Sequence, residues 1–253
     1  MALHGWRRTH GDFQKVLGPS APGGPLPSVA PDLPGFGASA PPPEAWGSAD
    51  YAALIAEMMG GVDGPRGPAV VVGHSLGGRV AATLAALHPD LVSALVLTGA
   101  PLVRPQGTKA RRKAPVAFRV ARSLRRLSLI GEDRMEKARQ RHGSADYRAA
   151  RGVMREVLVR IVNESYEDVL DSIACPVELV WGAEDSEAPL AVARAIAARL
   201  PHANLQVCEG AGHLLPTARP DALRTAIDSA IRSAAGIGVK PDSSGGTPPA
   251  GDH

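Results

Sequence analysis

Residues 73–77 have the sequence Gly73-His74-Ser75-Leu76-Gly77, with a serine between two glycines. They follow the Val-rich run 69–72, which predicts a buried strand, and precede the Ala-rich run 76–88, which predicts a helix. In such a strand–turn–helix unit the turn lifts the Ser75 hydroxyl above the edge of a sheet. The backbone N–H of Leu76, at the start of the helix, is then free to donate to an anion.

Composition limits what kind of protein can carry this motif. The chain has 253 residues, of which 44% are hydrophobic and only 4% aromatic, and its net charge is +3. Ala, Val and Leu must therefore build the core of one large α/β domain or two small ones. We expect no membrane span and no signal peptide. Cys175 and Cys208 are typical of free thiols in a reducing compartment, so we expect a cytoplasmic protein. The high content of Ala, Arg, Gly and Pro indicates a GC-rich bacterial gene.

Strands and helices alternate on both sides of the serine motif. The further segments predicted from hydrophobic periodicity are strands at 29–30, 92–97, 177–181 and 205–208 and helices at 12–17, 50–59, 189–200 and 220–232. We expect Asp50 to cap the helix that begins there. This alternation is typical of a mostly parallel sheet flanked by helices.

Residues 101–172 break the alternation, because they contain no convincing strand. A predicted helix there has an apolar face (Val116, Val120, Leu124 and Leu127) and a basic face (Arg119, Arg122 and Arg126). The sequence therefore predicts an α/β core of residues 1–100 and 173–235. A helical lid of residues 101–172 follows the strand at 92–97, and a disordered tail covers residues 236–253.

A serine hydroxyl becomes a nucleophile only with a base to take its proton and an acid to orient that base. His213 follows the predicted strand 205–208, and Asp185 follows the strand 177–181. Both residues therefore belong to the edge of the sheet where the strands have their carboxyl ends. The order Ser75, Asp185, His213 is the order expected for such a fold. Glu184 remains an alternative acid, with Asp185 then capping a helix.

Five motifs together resemble the α/β-hydrolase superfamily. They are His4-Gly5-Trp6, Asp32-Leu33-Pro34-Gly35-Phe36-Gly37-Ala38-Ser39, Gly73-His74-Ser75-Leu76-Gly77-Gly78, Gly182-Ala183-Glu184-Asp185 and Gly210-Ala211-Gly212-His213. The resemblance implies that Ser75 is the nucleophile, His213 the base and Asp185 the orienting acid. It also implies an oxyanion hole formed by the backbone N–H groups of Leu76 and Trp6.

The same resemblance implies a serine hydrolase that cleaves an ester or related acyl bond of a small molecule through an acyl-enzyme on Ser75. Thioesterase, carbon–carbon hydrolase and cofactor-free perhydrolase activities remain open, as does a catalytically impaired protein that only binds a ligand. We expect no cofactor, no metal, no nucleic acid and no membrane partner. The basic face of the lid is expected to attract an anionic substrate or an acidic carrier protein.

The start of the chain departs from the family pattern. Members carry two strands and most of a third before the His-Gly turn, whereas here only Met1-Ala2-Leu3 precedes His4. The third strand of the family lies between the strand leading to Asp32 and the strand leading to Ser75. We therefore expect that Met1 is not the natural start or that the chain is a degraded copy. The first strands of the family are missing, so we expect a frayed terminus beneath Trp6.

Overall fold

A computed structural model describes residues 1–61, 64, 67–103, 145–200 and 202–236. Within these residues one sheet contains β1 (Ala2–Leu3), β2 (Ala69–His74), β3 (Val92–Thr98), β4 (Val177–Gly182) and β5 (Ala203–Cys208). The spatial order of the strands follows the chain, and every neighbouring pair is parallel. The predicted parallel α/β sheet is confirmed.

The described helices lie between these strands or follow the last of them. They are α1 (Gln14–Leu17), α2 (Ser48–Gly60), α3 (Leu76–Leu87), α4 (Ala145–Ala149), α5 (Gly152–Asn163), α6 (Glu167–Asp171), α7 (Leu190–Arg199), α8 (Leu215–Ala218) and α9 (Pro220–Ala234). Short 3₁₀ helices precede α1 and β3, at His10–Phe13 and Pro89–Leu91. Helix α2 begins before Asp50, because Gly47 is the N-cap and Asp50 lies one turn inside. The Asp50 carboxylate still contributes to the cap by accepting the Gly47 N–H at 2.7 Å, but the prediction that Asp50 is the cap residue is wrong.

The strand predicted at residues 29–30 is also wrong, since that segment has no strand assignment. Pro27 and Pro31 flank it and have no N–H groups to donate, which leaves too little backbone for a ladder. One bond of the expected pairing is present, from the Ala2 N–H to the Val29 carbonyl oxygen at 2.9 Å.

The short strand β1 lies between residue 29 and β2, which is the place expected for the third strand of the family. On its β2 side the Val72 N–H donates to the Met1 carbonyl oxygen at 2.9 Å, and Ala2 and Leu3 are fully buried. Backbone bonds therefore hold this strand on both sides. The frayed segment expected beneath Trp6 is not observed.

Helices cover both faces of the sheet, because successive strand side chains point in opposite directions. Val71, Leu95, Leu97 and Leu179 pack into a cluster with α2, α3, α5, α6 and α7. Val72, Ala94, Val96 and Val180 pack into a second cluster with α1 and α9. The C-terminal helix α9 therefore covers a face of the central strands together with an N-terminal helix.

Helices α4, α5 and α6 lie between β3 and β4, where the sequence predicted the inserted helical lid. The segment between α5 and α6 is bonded to the start of α2: Tyr166 Oη donates to Glu164 at 2.6 Å and lies 2.7 Å from Ser48 Oγ. Arg119, Arg122 and Arg126 and residues 237–253 lie outside the described residues. The division into core, lid and tail stays a prediction.

Candidate active site

Ser75 occupies a strained turn between β2 and α3. Its φ of 51° and ψ of −109° are costly for a residue with a side chain and are typical of functional turns. The Ser75 N–H donates to the Thr98 carbonyl oxygen at 2.9 Å, which fixes the turn to β3. Gly77 permits the close approach of α3 to β1, because a Cβ there would stand 2.0 Å from the Leu3 carbonyl oxygen.

Asp185 and His213 are in direct contact. His213 Nδ1 lies 2.8 Å from Asp185 Oδ2, and the two side chains are 10% and 1% exposed. The other carboxylate oxygen, Oδ1, accepts the backbone N–H groups of Glu187 and Ala188 at 2.9 and 2.8 Å. An ionised carboxylate can only accept hydrogen bonds, so Nδ1 carries a hydrogen and Nε2 is the basic nitrogen.

The charges around His213 stabilise its protonated form. Burial lowers the pKa of the imidazole, but the hydrogen bond to Asp185 and the negative charges of Asp185, Glu187 and Asp146 together raise the pKa above its ordinary value. Glu187 is a carboxylate on the Nε2 side of the ring, with Oε2 3.6 Å from His213 Nε2.

One cavity of about 410 Å³ brings the predicted residues together, since its lining includes Ser75, Leu76, His213 and Trp6. Among the described residues, no hydrogen bond joins Ser75 Oγ to His213 Nε2. Such contacts are often long in the absence of substrate and shorten when it binds. Asp185 lies behind the cavity wall, where it holds the far side of the imidazole.

The two predicted oxyanion donors belong to this cavity. Leu76 is the first residue of α3, so its N–H has no partner within the helix. Trp6 lies in a turn that the Arg8 N–H closes onto the Gly5 carbonyl oxygen at 3.1 Å. Within the described part of the chain, neither the Leu76 N–H nor the Trp6 N–H donates to another backbone group. The arrangement has the parts needed for acyl transfer: a serine, an oriented imidazole and two donors for an oxyanion.

The sequence model of the Alpha/beta hydrolase family matches residues 2–226. The chain belongs to the alpha/beta hydrolase family. It is 31% identical to a pimeloyl-(acyl-carrier protein) methyl ester esterase of Aromatoleum aromaticum, over 91% of this chain and 96% of that protein. It is 26% identical to a putative carbamate hydrolase, RutD, of a Caulobacter species, over 62% of this chain and 63% of that protein.

The fold is similar to that of a putative lipase from Acinetobacter baumannii. The TM-score is 0.69 and the identity 16%, with 94% of this chain and 84% of that chain covered. At this identity the likeness shows the fold alone. Family membership makes the protein an enzyme of the hydrolase class, which confirms the enzyme prediction.

Two buried histidines support the site of this hydrolase. His74 Nε2 donates to the backbone carbonyl oxygen of His213 at 3.0 Å, and burial together with the nearby His213 lowers the pKa of His74 to about 4. His4 Nε2 accepts the Leu33 N–H at 2.9 Å, and its Nδ1 donates to the Gly5 carbonyl oxygen at 2.8 Å. Both rings hold backbone near the site.

Two further residues that line the cavity of the hydrolase, Arg7 and Glu187, were not found from the sequence. Arg7 directly follows the His4-Gly5-Trp6 motif, and Glu187 comes two residues after Asp185. Their positions next to motif residues were the available signal. Motif matching gives no weight to charged neighbours, which is why they were missed.

Within residues 1–61, 64, 67–103, 145–200 and 202–236, no group of three or more His, Cys, Asp or Glu side chains is placed to hold a metal ion. The helices of this described part include none with the length and apolar character needed to cross a bilayer. Cys175 and Cys208 are free thiols, and burial raises the pKa of each.

Proposed function

We propose that this hydrolase cleaves an ester or related acyl bond of a small molecule through an acyl-enzyme on Ser75. Ser75 Oγ attacks the carbonyl carbon while His213 Nε2 takes the hydroxyl proton. The Leu76 and Trp6 N–H groups stabilise the negative charge that develops on the carbonyl oxygen. His213 then gives its proton to the departing alcohol, and water, activated by the same imidazole, releases the acid.

The observation that carries this proposal is the 2.8 Å contact between His213 Nδ1 and Asp185 Oδ2 in the cavity that Ser75 lines. Because Oδ1 is held by two backbone N–H groups, the carboxylate cannot rotate freely away from the ring. A fixed carboxylate selects the tautomer in which Nε2 can accept the serine proton. The relative named as a methyl ester esterase, 31% identical over most of both chains, supports an ester as the substrate.

A fluorophosphonate probe tests the proposal, because it forms a covalent bond only with an activated serine. We expect labelling at Ser75 and hydrolysis within a panel of p-nitrophenyl esters of graded chain length. Ser75→Ala and His213→Ala should each lower turnover by several orders of magnitude, and the double variant should be hardly slower, since triad members act as a unit. Ser172→Ala, which removes an exposed hydroxyl, is the control for labelling.

The rival proposal is a protein that binds a ligand of this class without turnover. It predicts a folded wild type that is neither labelled nor active on any member of the panel. Wild-type turnover that survives in Ser75→Ala would instead contradict the acyl-enzyme. Matched panels of thioesters and carbamates compare the remaining acyl bonds, since one relative is named as a putative carbamate hydrolase.

We also propose that Arg119, Arg122 and Arg126 attract an anionic substrate or an acidic carrier protein by long-range electrostatics. The charge pattern of the sequence supports this, as does the relative named for an ester on an acyl-carrier protein. Neutralising the three residues should lower kcat/KM for anionic esters more than for neutral ones. The difference should shrink in high salt, because exposed charges are screened over about 8 to 10 Å.

A further inference from the structure

Arg7 has a backbone conformation that side chains rarely adopt. Its φ is 57°, and among the described residues the other non-glycine residue with a positive φ is Ser75. The turn that contains Arg7 is closed by the bond from Arg8 N–H to the Gly5 carbonyl oxygen, which makes Arg7 the third of four turn residues. A positive φ at the third residue of such a turn favours glycine. An arginine there costs conformational energy, which points to a use for its side chain.

Arg7 belongs to the linings of two cavities. It lines the active-site cavity, and it also lines a second cavity of about 480 Å³. Trp6 and Arg8 belong to both linings, so the turn forms the wall that the cavities share. The backbone N–H of Trp6 is one of the two proposed oxyanion donors. Trp6 directly precedes Arg7, so Arg7 lies one peptide unit from a group that would bind the scissile carbonyl oxygen.

The second cavity combines apolar walls with positive charge. Its lining includes the apolar residues Phe36 and Met154 and the basic residues Arg7, Arg8 and Arg151. Of the residues that the structure describes, no Asp or Glu belongs to its lining. A chain of methylene groups that ends in an anion matches this combination.

The three arginines differ in how firmly they are engaged. Arg8 binds Asp12 through two hydrogen bonds, from Nε at 2.7 Å and Nη2 at 2.5 Å, which neutralises its charge. Arg151 Nη1 donates to backbone carbonyl oxygens of its own segment, at Arg148 and Ala150.

Arg7 is the most weakly engaged of the three. Its Nη1 lies 3.6 Å from Asp146 Oδ1, and these side chains are 58% and 44% exposed. An ion pair as exposed as this contributes little. A ligand carboxylate can therefore replace that of Asp146.

We infer that Arg7 binds a carboxylate that the substrate carries at the end remote from its ester bond. The chain between the two groups runs from Ser75 past Trp6 to the turn that the two cavities share. A guanidinium binds a carboxylate through two parallel hydrogen bonds, which fixes the distance from charge to ester as well as the affinity. The inference rests on the proposed function, because it names the substrate class of that same site.

Paired esters of equal length test the inference. One series compares monomethyl esters of dicarboxylic acids with methyl esters of monocarboxylic acids. The other compares acetate esters of hydroxy acids with acetate esters of simple alcohols, which distinguishes a carboxylate on the acyl side from one on the alcohol side. We expect the wild type to prefer the carboxylate ester of one series by at least tenfold in kcat/KM.

Arg7→Gly should lower this preference at least tenfold, and Arg7→Lys should retain part of it. Glycine suits the positive φ, so we expect Arg7→Gly to melt no lower than the wild type. Asp146→Asn should lower KM for carboxylate esters, since it removes the competing carboxylate. Arg232→Gln, which removes one positive charge from α9, should leave the preference unchanged.

Calorimetric binding of the same esters to Ser75→Ala provides a readout that needs no turnover. Tighter binding of the carboxylate esters, lost in Ser75→Ala/Arg7→Gly, supports the inference even if the wild type hydrolyses no ester and the proposed function fails. Hydrolysis of both members of each pair at equal rates, or a preference that Arg7→Gly leaves intact, overturns the inference and leaves the proposed function standing.

Discussion

The His74 ring donates a hydrogen bond from Nε2 to the backbone carbonyl oxygen of His213, across 3.0 Å. A carbonyl oxygen only accepts, so Nε2 carries the hydrogen. Burial lowers the pKa of His74 to about 4, which keeps the ring neutral near pH 7. The residue before the proposed nucleophile therefore holds the loop of the proposed base. The two rings lie 4.9 Å apart, which places His74 beneath the imidazole that must move a proton.

We predict that His74→Ala lowers kcat about tenfold to a hundredfold, with a smaller effect on KM. The physical reason is that a displacement of the base by about 1 Å can cost a hundredfold in rate. His74→Gln, which can still donate through its side-chain amide, should recover part of the loss. Steady-state kinetics on folded variants checks this. If the two variants lost activity equally, or if KM changed as much as kcat, a positioning role of His74 would be contradicted.

We predict that Asp185→Asn lowers kcat about 10⁴-fold without unfolding the protein. The amide oxygen can still accept the N–H groups of Glu187 and Ala188, but the amide nitrogen cannot accept the His213 Nδ1–H, so the imidazole loses its productive tautomer. Glu184 is exposed, and Glu184→Gln should keep nearly full activity. The opposite ranking of the two variants, measured on folded proteins, would make Glu184 the acid.

We predict that Glu187→Gln moves the ascending limb of the pH profile of kcat/KM to lower pH. His213 acts as a base only when neutral, so activity rises as the pH passes the imidazole pKa. The charges of Asp185, Glu187 and Asp146 raise that pKa, and removing the charge of Glu187 lowers it. At pH values on the ascending limb, kcat/KM of Glu187→Gln should exceed that of the wild type. Glu184→Gln should keep the wild-type profile.

The same pKa has a consequence for stability. Because the folded pKa of His213 is raised, its stabilising contribution is complete below the unfolded value of 6.5 and is lost as the pH rises through the folded pKa. In Glu187→Gln this contribution should be smaller. Thermal unfolding of both proteins across this pH range measures it. A profile and a stability curve that match the wild type would show that Glu187 does not act on the imidazole.

We predict that Gly99→Ala lowers kcat/KM about a hundredfold. Gly99 has a φ of 58°, and a Cβ there would stand 2.9 Å from the His213 ring, which must then move away from Asp185. Gly210→Ala is the matched control, since its φ is 68° and a Cβ would meet nothing within 4 Å. Both variants should lose about 1–2 kcal/mol of stability from the backbone. Similar values of kcat/KM for Gly99→Ala and Gly210→Ala would contradict the predicted clash with the His213 ring.

Sequence motifs were sufficient to predict the fold and the neighbourhood of Ser75, Asp185 and His213. The reason is that the site residues stand at strand ends, and apolar periodicity locates those ends. The strand predicted at residues 29–30 does not form, because the flanking prolines lack the N–H donors that a strand needs. Arg7 and Glu187 were missed because their place in the cavity depends on backbone conformation and side-chain direction, which motif spacing does not encode.

Helix α9 gives the chain a particular order of assembly. Arg224, buried at 6% exposure, donates from Nη1 to the Gly24 carbonyl oxygen at 2.6 Å, so a residue near the end closes onto a loop near the start. Strands β2 to β4 can pair as they leave the ribosome, but one of their faces stays uncovered until residues 220–234 have been made. Contacts this distant in sequence form slowly. We therefore expect the nascent chain to expose Val96 and Val180 until α9 has been made, and such apolar surface is the kind that chaperones bind and that aggregates when it is left open.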